Sequence, residues 1–154
     1  MTPAVRAALW GLFALLAPAF AVAGQSAPAP GQPVIGLSFR GAHRAYPLTL
    51  FTDRRVVNDV IESMEIAVFH SPELGVAAAW FRTVLGEPIE FSGTAAGPVA
   101  DDLTTITHWD LTTGVAVKGN LQGQRLVGLP ATLISWDGWA ALHPNAGVYS
   151  GTEP

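Results

Sequence analysis

The sequence predicts an α+β fold: a single domain built mostly of antiparallel β-sheet, with few short helices, preceded by a signal peptide. Three observations favour this class. Short apolar segments with a two-residue alternation recur along the chain, separated by turns rich in glycine and proline. One segment near the C-terminus has helical spacing instead. The first two dozen residues follow the pattern of an export signal.

The N-terminal segment has the three parts of a secretory signal peptide. Arg6 is followed by an apolar run over residues 7–20, and the small-residue triplet Ala21-Val22-Ala23 ends it. The run is shorter than the ~20 apolar residues that a transmembrane helix needs. We therefore expect a signal peptide over residues 1–23, cleavage after Ala23, and a periplasmic or secreted protein.

The chain after this signal is expected to hold one domain. Residues 24–33 read GQSAPAPGQP, a composition typical of a flexible spacer rich in proline, alanine and glycine. Residues 34–150 are of ordinary single-domain length. Residues 151–154 form a short tail.

Strands are predicted for most of the first half of the domain. The segments are 34–39, 45–51, 56–61, 65–70, 76–81 and 88–91. Pro47 has no backbone N–H for a sheet ladder, so the second strand is expected to lie at an edge or to contain a bulge there. Asn58 and Asp59 interrupt an apolar run, and such residues usually satisfy backbone groups in a bulge or turn; a ligand role for Asp59 is the alternative.

The second half is expected to contain shorter elements and one helix. The pattern predicts a loop over 93–102, a strand over 104–111, short segments at 115–117, 120–121 and 125–127, and a last strand over 147–150. Ser135 can cap a helix over 135–142, which Pro144 cannot continue. Trp80, Trp109, Trp136 and Trp139 are expected to pack in the core, because they fall at alternating strand positions and at i, i+3 helix positions.

Composition excludes several classes of function. The net charge is −4, and without Arg6 the eight basic residues become seven against twelve acidic ones. Nucleic acids and anionic membranes select basic clusters, so neither is an expected partner. The chain has no cysteine, which removes disulfides, thiolate metal sites and cysteine nucleophiles.

His70 is the strongest candidate for contact with a ligand, because it lies at the end of a predicted buried strand, where a loop can aim side chains. Two alternatives remain open. A copper or zinc site could use His70 and Glu73 with one or two of His43, His108 and His143, although no local metal-binding spacing is present. A hydrolase could use Ser71 as nucleophile, with His70 or His108 as base and Asp110 as orienter, although no G-x-S-x-G motif is present.

Several segments in order resemble one protein family. They are Gly41-x-x-Arg44-Ala45-Tyr46-Pro47-Leu48, Val56-Val57-Asn58-Asp59, Pro72-x-x-Gly75, Phe81-Arg82 with Gly86 and Phe91, Trp109, Thr113-Gly114, Gly119, Trp136-x-x-Trp139 and His143-Pro144. This set resembles the family of domain of unknown function 3179, and the resemblance runs from about residue 34 to residue 150, nearly the whole chain after the predicted signal.

The resemblance implies a degenerate member of that family. Where the family has a Cys-Pro-Leu-Cys-Gly knuckle, this chain reads Ser71-Pro72-Glu73-Leu74-Gly75, and Arg54 stands where members carry a histidine before Val-Asn-Asp. Serine and leucine cannot replace a thiolate as a soft ligand or nucleophile. The hypothesis is therefore a non-enzymatic module that binds an unknown protein or small molecule without a cofactor. Its expected contact residues are Arg54, Asp59, His70, Ser71 and Glu73.

Overall fold

The computed structural model describes residues 26–151, apart from the side chains of residues 94–96. The predicted signal peptide and most of the predicted tail lie outside the described residues. The strands of the first half are β1 (Pro33–Phe39), β2 (Ala42–Pro47), β3 (Val56–Ile61), β4 (Met64–Ser71), β5 (Val76–Phe81), β6 (Thr83–Val84) and β7 (Glu87–Pro88). There follow β8 (Phe91–Ala96), β9 (Val99–Asp102), β10 (Thr107–Asp110), β11 (Val115–Gly119), β12 (Val127–Leu129), β13 (Ala131–Ser135), helix α1 (Trp136–Leu142) and β14 (Gly147–Val148).

Three four-stranded sheets make up most of the described chain. We call them the terminal sheet (β13-β1-β2-β14), the central sheet (β12-β5-β4-β3) and the distal sheet (β11-β10-β9-β8); β6 and β7 form a separate hairpin. Every pairing is antiparallel except that of β14 with β2. The predicted α+β class, dominated by antiparallel sheet, is confirmed.

The central sheet is buried on both faces. Val56, Ala67 and Phe69 belong to one apolar cluster with distal-sheet residues such as Trp109. Their sequence neighbours Val57 and Val68 belong to a second cluster, with residues of the terminal sheet. A strand that is buried on both faces reads as a nearly continuous apolar run, which is the pattern of β3 and β4.

Helix α1 covers the other face of the terminal sheet. Ser135 caps it as predicted, its Oγ accepting a hydrogen bond from the backbone N–H of Gly138 at 3.3 Å. Trp139 packs with Val34 and Ala45. A Cβ at Gly36 would lie 2.3 Å from the indole of Trp139, so only glycine allows this close approach.

The predicted packing of the tryptophans is confirmed. Trp109 is fully buried and Trp139 nearly so, while Trp80 and Trp136 are partly buried against the apolar clusters. Trp80 also donates a hydrogen bond from Nε1 to the carbonyl of Leu111 at 2.9 Å. This bond links the central sheet to the chain just after β10.

Several local predictions were wrong or incomplete, among them the strand predicted over 88–91, which is interrupted between the end of β7 at Pro88 and the start of β8 at Phe91. The extended segment predicted over 45–51 ends as a strand at Pro47 and continues as a 3₁₀ helix over Leu48–Phe51. The loop predicted over 93–102 contains the hairpin of β8 and β9, because pairing with a neighbouring strand overrides the low strand propensity of glycine, alanine and proline. Strand β13 was not predicted at all.

The last residues of the predicted spacer contact the helix. Gly31 donates its backbone N–H to Asp137 Oδ1 at 2.7 Å, and the N–H of Trp136 donates to the carbonyl of Gln32 at 2.8 Å. Strand β1 then begins at Pro33. Within residues 26–151, no helix is long and apolar enough to cross a membrane.

Candidate functional site

The turn after β4 is closed by its own side chains. Ser71 is buried, and its Oγ donates to Glu73 Oε2 at 3.1 Å and accepts from the N–H of Leu74 at 3.4 Å. Gly75 takes a positive φ that suits glycine. Glu73 pairs at the surface with Arg55. The backbone turn that corresponds to the family's knuckle is thus held by a serine, a glutamate and an arginine.

Ser71 has no base beside it in the described part of the chain. His70 and Ser71 are consecutive in β4, so their side chains project to opposite faces of the central sheet. The hydrogen bonds of Ser71 Oγ go to Glu73 and Leu74. The geometry that a serine nucleophile requires, a hydrogen bond to a histidine, is not among the contacts of the described residues.

His70 is buried at the end of β4, with its ring edge-on to Phe51 at a centroid distance of 5.7 Å. Burial lowers the pKa of His70 below its ordinary value, and the charge of Arg55 lowers it further, against the opposing effect of Glu73. The imidazole is therefore held in its neutral form more strongly than in an unfolded chain.

This shift predicts a pH dependence of stability. Because the pKa of His70 is lower in the folded state, the unfolded chain binds a proton first as the pH falls below the unfolded value of about 6.5. The free energy of unfolding should therefore decrease from that pH down to the folded pKa and then level off. Urea unfolding of the wild type and of His70→Gln between pH 7.5 and pH 5 measures it. The wild type should lose more stability than the variant, and parallel curves would refute the expectation.

The predicted contact residues are only partly brought together. His70, Ser71 and Glu73 meet at the turn after β4, but the arginine beside Glu73 is Arg55, whereas the predicted Arg54 lines a separate cleft. Asp59 is farther away. The carbonyl of Arg55, just before β3, accepts the backbone N–H of His70, and Asp59 comes four residues after Arg55. At about 3.3 Å per residue, Asp59 is therefore roughly 13 Å along the strand from the backbone of His70.

Asp59 binds residues of the terminal sheet. Its Oδ2 accepts from Arg44 Nη1 at 2.5 Å and from the hydroxyl of Tyr46 at 2.7 Å. Burial is the main cause that raises the pKa of Tyr46 above its ordinary range, and the charge of Asp59 raises it further. The phenol therefore stays protonated and remains a hydrogen-bond donor. The two family segments Arg44-Ala45-Tyr46 and Val56-Val57-Asn58-Asp59 therefore meet at this carboxylate.

Asn58 binds the distal sheet in the same way. Its Nδ2 donates to the carbonyl of Phe91 at 2.8 Å, and its Oδ1 accepts the N–H of Phe91 at 3.1 Å. Asn58 does satisfy backbone groups, as the sequence predicted, but from a regular strand rather than a bulge or turn. Because Asn58 and Asp59 are consecutive in β3, they reach the sheets on its two sides.

The candidate metal ligands lie in three places. His43 and His143 stack on each other with ring centroids 3.9 Å apart. His108 Nδ1 lies 2.6 Å from Asp101 Oδ1, and His70 is near Glu73. Over residues 26–151, no three histidine, aspartate or glutamate side chains are grouped so that they could hold a metal ion.

A cleft of about 360 Å³ opens beside the junction of β3 and β8. We call it the β3–β8 cleft; it is lined by Asp53, Arg54, Asn58, Glu90, Phe91 and Leu103, among others. Arg54, Asp53 and Glu90 are exposed and form no ion pair with any residue that the structure describes. The sequence analysis identified Arg54 as a contact residue but not Asp53 or Glu90. The charged run Asp53-Arg54-Arg55 between two apolar segments was a signal for Asp53.

The chain forms a β-rich domain of three packed sheets, in which β3 contacts the terminal sheet through Asp59 and the distal sheet through Asn58. A family model described as "Protein of unknown function (DUF3179)" matches residues 11–154. The chain therefore belongs to this family, as the order of its motifs indicated. No curated protein matches the chain.

Proposed function

We propose that this protein is an exported, non-enzymatic binding module that holds a small zwitterionic ligand in the β3–β8 cleft. The observation that carries the proposal is the set of charges lining this cleft. Arg54 supplies a guanidinium, and Asp53 and Glu90 supply carboxylates, with no ion pairs to other described residues. The proposed export rests on the signal pattern over residues 1–23.

The lining indicates the class of ligand. A guanidinium matches a carboxylate with two parallel hydrogen bonds, while Asp53 and Glu90 suit an ammonium group. The three charges sum to −1, which disfavours a purely anionic ligand. The volume of about 360 Å³ is at the lower end of the ~300–1,000 Å³ typical of ligand pockets. A free amino acid has the right charges and size.

The floor of the cleft is rigid, which favours binding. Asn58 and Phe91 both line it, and they are joined by the two hydrogen bonds between side-chain amide and backbone. A pre-formed floor lowers the entropy cost of binding. A rigid floor with polar walls favours a receptor.

The proposal is tested by titrating ¹⁵N-labelled protein with glycine and L-lysine and following the backbone amide signals. Saturable shifts are expected at residues 53–54 and 90–93, and acetate or methylammonium, each with one of the two charges, should bind more weakly. Arg54→Gln should weaken binding at least ~10-fold, as expected for the loss of a charge-assisted bidentate contact. The control Arg125→Gln removes another exposed arginine that is outside the cleft. Shifts that do not saturate, or that saturate at the same ligand concentration in Arg54→Gln as in the wild type, would overturn the proposal.

A further inference from the structure

We propose that the β3–β8 cleft selects a diamino acid such as L-lysine, and that Glu90 determines this selectivity by binding the second ammonium group. The inference rests on the binding function proposed above and narrows its class of ligand. An ordinary free amino acid has a single ammonium, whereas the cleft has two carboxylates, those of Asp53 and Glu90, beside the guanidinium of Arg54. A second ammonium gives the ligand a net positive charge, which balances the net negative charge of these three side chains.

The two segments that form the cleft run in opposite directions. The backbone N–H of Arg55, just before β3, donates to the carbonyl of Gly93 in β8 at 2.8 Å. Three residues further along the chain, the side chain of Asn58 binds the backbone of Phe91, which comes earlier in β8 than Gly93. The chain just before β3 therefore lies at one end of the cleft, and the chain just before β8 lies at the other.

Each end of the cleft has different charges. Asp53 and Arg54 come just before β3, so one end has an anion and a cation from consecutive residues. Glu90 comes just before β8 and is three residues from Gly93, which is roughly 10 Å along the strand at about 3.3 Å per residue. The first end matches the α-ammonium and α-carboxylate of an amino acid, and the second end matches an ammonium alone.

The side chain of lysine is long enough to connect these two ends. The single bonds from Cα to Nζ, each about 1.5 Å long, extend over roughly 6 Å, and a hydrogen bond of about 2.8 Å to a carboxylate adds to this reach. Glycine can contact only one end. The cleft volume of about 360 Å³ corresponds to about twelve water molecules of about 30 Å³ each, so bound glycine would leave most of the cleft filled with solvent.

Backbone hydrogen bonds hold Glu90 in place and set Leu103 beside it. The N–H of Glu90 donates to Thr104 Oγ1 at 3.1 Å, and the N–H of Leu103 donates to the carbonyl of Glu90 at 2.8 Å. Leu103 lines the cleft with a side chain that is 58% exposed. The methylene groups of a lysine side chain can cover this apolar surface while the ammonium stays in contact with water. A long aliphatic stem is therefore favoured over a short one.

The test is a titration of the ¹⁵N-labelled protein with L-lysine and with L-norleucine, which is lysine without its terminal ammonium. Lysine is expected to bind at least ~5-fold more tightly, because a hydrogen bond between charged groups adds to the contacts that both ligands make. Glu90→Gln should bring the ratio of the two dissociation constants close to one. The control Glu87→Gln removes another exposed carboxylate, which is outside the cleft, and should keep the ratio of the wild type.

The ratio of dissociation constants in the wild type also gives a test that needs no variant. Raising the salt concentration from ~0.02 M to ~0.5 M should bring it towards one, because salt screens the ion pair at Glu90. A ratio near one at low salt, or a ratio that changes neither in Glu90→Gln nor at high salt, would overturn the inference. If glycine still saturates the cleft in those cases, the proposed function holds and only the selectivity is wrong. If neither glycine nor lysine saturates it, both proposals fail.

Discussion

Replacing Asp59 by asparagine is expected to destabilise the fold by about 2–3 kcal/mol, measured by urea unfolding at pH 7. The substitution keeps the shape of the side chain but removes the charge that faces Arg44, and a buried charge without its partner is costly. The expected loss is below the roughly 3–5 kcal/mol typical of a fully buried pair, because the Arg44 side chain is 34% exposed and can be partly solvated.

Two further variants separate the ion pair from the rest of the site. Arg44→Met and the double variant Arg44→Met/Asp59→Asn complete a double-mutant cycle, which should give a coupling energy of at least ~1 kcal/mol. Asp101→Asn is the matched control, because the pair of Asp101 with His108 is at the surface and such pairs contribute ~0–1 kcal/mol. A coupling energy near zero would show that Asp59 does not act through Arg44.

Truncating Asn58 to alanine should destabilise the protein by about 2–4 kcal/mol. The change removes the side chain that binds both the N–H and the carbonyl of Phe91. Phe91 is only 2% exposed, so water does not readily replace these two hydrogen bonds. Each buried backbone group left unsatisfied costs roughly 1–3 kcal/mol. The same urea unfolding measures the loss.

Asn120→Ala provides the comparison for this prediction. The Asn120 amide also donates to a backbone carbonyl, that of Thr105, but at an exposed position. Its loss should cost less than ~1 kcal/mol, because water replaces the bond. Equal effects of the two substitutions would mean that the link between β3 and β8 does not depend on Asn58.

Periodicity predicted the strands with strong apolar patterns. The segments that became β1, β3, β4 and β5 alternate or run apolar because they contribute side chains to the apolar clusters between the sheets, and the capping serine marked α1. The hairpin of β8 and β9 was missed because its residues have weak strand propensity and its pairing is set by the sheet. The 3₁₀ turn after Pro47 was missed because its apolar residues fit a strand equally well.

The candidate site was harder to predict, because the missing information is three-dimensional. His70, Ser71 and Glu73 are neighbours in sequence and remain neighbours in the fold. Arg54 and Arg55 are consecutive, yet one lines the cleft while the other pairs with Glu73, and no one-dimensional pattern decides which does which. The pairing of His43 with His143 depends on the contact of two segments about a hundred residues apart.

The alternating contacts of β3 restrict how this chain can change in length. Inserting or deleting one residue before Asn58 would move every later side chain of the strand to the opposite face. A deletion would place the Asp59 carboxylate against the backbone of Phe91, and an insertion would place the Asn58 amide against Arg44. The turn between β3 and β4, at Glu62 and Ser63, is exposed and not bound by this constraint. We therefore expect this chain to tolerate an inserted residue in that turn better than one within β3.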